Sequence, residues 1–188
     1  MRVRFISVIF SILFLTGVSK AQTGLCPPNL DFEQGDFTNW VCRTGVADLV
    51  GGLNTITWTG TGPNPTLHRM ITAPGGRDFF GNFPELCPNG SGFTAKIGNE
   101  TASVTGGIGK EASGISYTYT IPASTTTFSV LFHYAIVLEN PNHIPEEQPR
   151  FRARIRDLST GNTFPCVTID FTASAGLPGV LQSDVNPN

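Results

Sequence analysis

The sequence predicts an all-β protein: a two-sheet β-sandwich, jelly-roll-like and lacking its final strands. Three observations carry this. Gly and Pro supply 21 and 14 of 188 residues, more breakers than helical bundles or coiled coils absorb. Charged residues make up 14%, against about 25% in an ordinary globular chain, while 14 Phe residues exclude a disordered chain. Apolar residues alternate with polar ones at a period of two, which leaves one strand face buried.

The alternation is clearest at residues 115–121, where Ile115, Tyr117, Tyr119 and Ile121 alternate with Ser116, Thr118 and Thr120 until Pro122. Residues 128–138 are apolar on both alternating sets, which predicts a central strand covered on both sides and hence two packed sheets. After a Pro/Asn-rich loop at 140–149, Phe151, Ala153 and Ile155 pair with Val167, Ile169 and Phe171 as a hairpin around Gly161. Weaker strands are expected at 29–33, 55–59, 68–72 and 93–97. The long loops at 60–66 and 73–92 are where a β-sandwich tends to carry binding.

Residues 1–21 read as a cleavable export signal. Arg2 and Arg4 precede an apolar run at 5–18, and Ser19 and Ala21 place small residues before Gln22. The run is shorter than the roughly 20 residues of a span, so no membrane span is expected, and the β-sandwich domain occupies 22–188. Arg2, Arg4 and Lys20 leave with the signal, reducing twelve basic residues to nine against fourteen acidic ones, a net charge of −5. That balance argues against nucleic acid as a partner. The protein is expected outside the cell or on its outer surface. There, the four cysteines Cys26, Cys42, Cys87 and Cys166 read as two disulfides. Three connectivities are open, and Cys26–Cys42 with Cys87–Cys166 is favoured. No close cysteine spacing supports zinc.

The stretch Asn29-Leu30-Asp31-Phe32-Glu33-Gln34-Gly35-Asp36-Phe37-Thr38-Asn39-Trp40 resembles the opening strand of jelly-roll modules of the galactose-binding and carbohydrate-binding-module type. MAM domains also begin with a Cys…Phe-Glu…Trp pattern. Three further stretches follow in order: Cys87-Pro88-Asn89-Gly90-Ser91-Gly92, Phe132-His133-Tyr134-Ala135 and Glu147-Gln148-Pro149-Arg150-Phe151-Arg152-Ala153-Arg154. Together they resemble the N-terminal region of large exported Bacteroidota surface proteins with PKD or immunoglobulin-like repeats and a type IX secretion sorting domain. The resemblance implies further domains in a longer chain, since such modules continue past a segment like Leu177-Pro178-Gly179. It also implies a structural calcium held in part by Glu33, which would need six to eight oxygen ligands.

Candidate ligand residues follow from residue chemistry. Arg150, Arg152, Arg154 and Arg156 recur at period two, ~6.6–7 Å apart along one strand face. Arg152 and Arg154 could grip carboxylates or acidic glycans, or the row could be a solvated face paired with neighbouring acids. Trp58 could stack on a sugar ring, whereas Trp40 reads as a core anchor. His133 reads as a buried core histidine, and neither it, His68 nor His143 has metal-ligand spacing. No G-x-S-x-G elbow is present. Glu139, Glu146 and Glu147 flank one loop and are the residues a glycosidase reading would use. The expected function is a non-catalytic recognition or structural module of an adhesin-type surface protein, with a glycan or surface protein as partner. The alternative is a fragment of a secreted glycoside-active enzyme or its carbohydrate-binding module.

Overall fold

The computed structural model describes residues 26–100 and 110–174. Among them the protein is an all-β sandwich of antiparallel sheets packed against each other. In chain order the strands are β1 (Trp40–Val50), β2 (Leu53–Thr61), β3 (His68–Thr72), β4 (Phe93–Ile97), β5 (Glu111–Tyr117), β6 (Arg150–Ala153) and β7 (Ile169–Thr172). They form a sheet of order β2-β1-β5 and two two-stranded sheets, β3-β4 and β6-β7. The partnering of β1 with β5, far along the chain, is a non-sequential connection. No helix among the described residues is long and apolar enough to cross a membrane.

Strands β3 and β4 span the residues expected of them, and β6–β7 form the expected hairpin with Phe151 opposite Phe171. The longest strand, β1, was not expected. Its apolar residues are broken by Gly45 and Asp48, so no clean alternation marks it. The turn after it is legible in retrospect. Gly51 and Gly52 both have positive φ, +60° and +79°, the two-residue turn whose twist matches a hairpin.

Two expectations are corrected. Residues 29–33 are not a strand but part of a series of turns. Asn29, 5% exposed, donates through Nδ2 to the carbonyls of Asp36 and Thr38 and accepts the Gln34 N–H on Oδ1. Its side chain thus supplies the pairing that a strand ladder would otherwise provide. Gly35 closes the series at φ +75°, where a Cβ would lie 2.8 Å from the Phe93 ring on β4. The second correction is residues 128–138, which have no ladder partner among the described residues. Leu131 is 86% exposed and His133 is exposed, so neither is a core residue. Alternation reports a preference for extended backbone, but a strand needs a neighbour to accept its hydrogen bonds. The segment is held instead through rings, with Tyr134 stacked on Phe151 at 6.1 Å and Phe128 on Tyr119 at 5.6 Å.

The interior holds Cys42, Leu67, Ala112 and Ala173. His68 crosses between layers, its Nδ1 accepting the Asn64 N–H at 3.1 Å and its Nε2 lying 3.2 Å from the Gly114 carbonyl of β5. Because Nδ1 accepts, the proton sits on Nε2 and donates to Gly114. Trp40, expected as a core anchor, is half-buried and holds the opening turns instead. It stacks on Phe32 at 4.5 Å and donates through Nε1 to the Asn29 carbonyl at 2.8 Å.

Candidate functional site

Trp58 sits on β2 directly opposite Gly45 of β1, which in turn faces Ala112 of β5. Directly opposed residues point to the same face, so Trp58 shares its face with Gly45, Ala112 and, one pair along, Arg43 and Gly114. It reaches across β1 to β5, where a Cβ on Gly114 would lie 3.0 Å from its Cη2. At Gly45 a Cβ would meet the Thr57 carbonyl oxygen at 2.4 Å, beside the irregularity in register between Thr44 and Gly45. The two glycines let the ring lie against the sheet, yet Trp58 stays 42% exposed. Ile56 and Leu49 extend the same face, opposite Ala47 and Asn54 respectively, and both are exposed. The result is a half-exposed aromatic ring on the outside of the three-stranded sheet, with Ile56 and Leu49 on one side and Arg43, opposite Gly114, on the other. Isolated exposed apolar residues need no explanation. A tryptophan reaching across a strand to a glycine is a more specific arrangement, one able to stack on a sugar ring or another flat apolar surface.

The arginine row divides. Arg150 makes a bidentate pair with Asp170 of β7, Nε to Oδ1 at 2.5 Å and Nη2 to Oδ2 at 2.6 Å. Arg152, directly opposite Asp170, donates to Oδ2 at 3.0 Å. Arg150 and then Arg152 hold the Asp170 carboxyl below its ordinary pKa, against a smaller upward push from burial. Arg156 donates to the Gly161 carbonyl at 3.1 Å inside the hairpin turn. Arg154 lies past the end of β6, exposed and unpaired among the described residues. Half of the row is therefore a cross-strand ion pair, and Arg154 alone keeps a free guanidinium.

Glu33 joins the opening turns to the 87–92 loop. Its Oε1 accepts from the Ser91 hydroxyl and from the Gly92 N–H at 3.1 Å, with Gly92 N–H also 3.2 Å from Oε2. It does not belong to the group of three mutually close carboxylates found among the described residues, which is Asp78, Glu85 and Glu100. Sequence reasoning did not single that group out, because its members are spread along the chain through the 73–92 loop and past β4. They converge on one cation: Lys96 Nζ is 3.2 Å from Asp78, 3.1 Å from Glu85 and in contact with Glu100, which Arg69 also binds at 2.9 Å. Asp78 is 6% exposed and accepts the Phe80 and Gly81 N–H groups on Oδ1. The group is a charge network that fixes the loop onto β4.

The cysteines Cys26, Cys42, Cys87 and Cys166 stand as free thiols. Cys42 is 1% exposed, on the inner face of β1 opposite Ile115, and burial raises its thiol pKa. Cys26 and Cys166 are exposed and Cys87 is half-buried. Spacing along the chain could not report that Cys42 points into the sandwich while Cys26 lies exposed.

The loop of residues 140–148 includes a short 3-10 turn at Pro145–Glu147. It is closed by Gln148, 6% exposed, whose Nε2 donates to Asn140 Oδ1 and to the His143 carbonyl, both at 3.0 Å. Gln148 Oε1 is buried with no donor among the described residues, a state that costs about 1–3 kcal/mol unless a partner arrives. Neither Asn140 nor Gln148 stood out in the sequence. A Pro/Asn-rich segment signals a loop, not which amides it buries. No protein-family model, curated protein or solved structure matches this chain.

Proposed function

We propose that this chain is a non-catalytic, exported recognition module that binds glycans on or near a cell surface. The observation that carries the reading is Trp58, whose indole reaches across β1 to Gly114 and stays 42% exposed. Stacking on such a ring needs no metal and no ionised group, and it suits the apolar face of a pyranose. The non-catalytic part rests on the sequence, which carries no G-x-S-x-G elbow and no metal-ligand histidine spacing. Export rests on residues 1–21, which lie outside the described residues, and predicts a mature chain beginning at Gln22.

A glycan array with the folded protein and with Trp58→Ala tests the reading. Specific binding by the parent, lost in the variant at unchanged stability, is the expected result. Equal binding by both would remove Trp58 from the site, and no binding by the parent would end the glycan reading.

A further inference from the structure

We propose that the free edge of β2 docks a second copy of this chain, which lays its own β2 antiparallel to the first and joins the two three-stranded sheets into one. β2 stands at the end of the order β2-β1-β5. β1 is its ladder partner, and among the described residues no backbone hydrogen bond reaches its other side. A row of unpaired N–H and C=O groups is a template for a further strand, and proteins guard such edges with charge, proline or a covering segment. β2 lacks the first two. Its nine residues, Leu53–Thr61, include no proline, and of the seven strands among the described residues it alone carries no charged residue. Residues 55–59 at its centre are all exposed.

The residues of β2 select the occupant. Thr55-Ile56-Thr57-Trp58-Thr59 has the same pattern in either direction: threonine, large apolar residue, threonine, large apolar residue, threonine. A two-fold contact presents the same patch from both partners, so an antiparallel pair needs such a pattern. With the axis at Thr57, that residue meets itself, and Ile56 of each copy lies opposite Trp58 of the other. Aromatic with β-branched and Thr with Thr are pairings that stabilise opposed strands. A slip by one residue would set Ile56 and Trp58 against threonines and turn their side chains to the wrong face. The irregular register of the β1–β2 ladder lies opposite Thr59, at the margin of this centre. Charge favours the same contact. The chain is acidic, with 14 Asp and Glu against 12 Lys and Arg, and like net charge opposes association. On β2 two copies meet without bringing like charges together. The contact uses the edge of the strand, not the outer face of the Trp58 ring, and does not rest on the glycan reading.

Sedimentation velocity of the folded chain over a series of concentrations tests the proposal, and a reversible monomer–dimer equilibrium is expected. Thr57→Lys and Thr57→Glu each put like charges opposite one another at the axis, and each should dimerise at least about tenfold more weakly. Thr57 is exposed, so both variants should keep the parent's circular dichroism spectrum. An equimolar mixture of the two sets lysine opposite glutamate and should pair again, a recovery that requires position 57 of one copy to face position 57 of the other. Amide exchange on the parent needs no variant: protection of residues 55–59 should rise with protein concentration. A parent that is monomeric at every concentration overturns the proposal. So does a dimer that both variants form as tightly, a mixture that pairs no better than its components, or dimerisation that leaves exchange in β2 unchanged.

Discussion

Glu33 and Gly92, 59 positions apart, are joined directly: the Gly92 N–H lies 3.1 Å from one oxygen of the Glu33 carboxylate and 3.2 Å from the other. Ser91 donates to the same side chain. Through this contact the opening turns, which carry no strand of their own, are tied to the loop leading into β4. Charge-assisted bonds of this kind contribute more than neutral ones. We therefore expect Glu33→Ala to lower unfolding stability by about 1–2 kcal/mol in urea titration. Because the carboxylate is engaged by the loop, calcium and EDTA should leave the melting temperature unchanged. A calcium-dependent rise that vanishes in Glu33→Gln would restore the metal role that the sequence resemblance implies.

Lys96 is the shared partner of Asp78, Glu85 and Glu100. Replacing it by Met leaves three carboxylates together, one of them 6% exposed. Removing one partner of a buried pair costs more than the pair contributes. With part of the network open to solvent, a loss of about 2 kcal/mol is expected. Chemical denaturation of Lys96→Met measures it, and a variant as stable as the parent would show that water screens the cluster.

The same network sets a pH dependence. Arg69 and then Lys96 depress the Glu100 carboxyl from 4.5 to about 2. At Asp78 burial pushes upward, but the Gly81 and Phe80 N–H groups and Lys96 outweigh it, and the group lies below its ordinary value. Depressed native pKa values mean that the unfolded chain binds more protons through this range. Their contribution is thus complete above pH 4.5 and drains away as pH falls toward 2. The melting temperature should decline across that window. In Glu100→Gln the decline should be shallower, and equal slopes for the two proteins would refute the assignment.

Gly114 and Gly45 are expected to respond unequally to substitution. In Gly114→Ala the new methyl would press on the Trp58 ring edge at 3.0 Å, and a half-exposed ring can tilt. Indole fluorescence should shift, with a stability change of about 1 kcal/mol or less. In Gly45→Ala the obstacle is the Thr57 carbonyl at 2.4 Å, part of the β1–β2 ladder, and the cost should reach about 1–3 kcal/mol. Thermal unfolding of the two variants side by side checks the order.

Thiol labelling separates the cysteines. Cys26 and Cys166 are exposed, whereas Cys42 is buried with a raised pKa. Thiolate is the reactive form. Iodoacetamide should therefore label the first two quickly and Cys42 only upon unfolding. Peptide mapping without reductant that recovers Cys42 linked to Cys26 would reinstate the pairing favoured by the sequence.

The residues alone determined the class of this fold, and the reason is local. Gly and Pro density excludes long helices, and the period of two in 93–97 and 151–155 states which side of each strand is apolar. Partnership between strands is not local. Whether residues 128–138 join a ladder depends on a neighbour, and none stands beside them among the described residues. Tertiary structure alone brought the Trp58 ring to Gly114, spent Arg150 and Arg152 on Asp170, and gathered Asp78, Glu85 and Glu100 around Lys96. It also closed the 140–148 loop on Gln148. Each of those arrangements joins residues from different segments, and it is the distance between side chains in space, not their order along the chain, that sets which charges cancel and which groups stay open to a ligand.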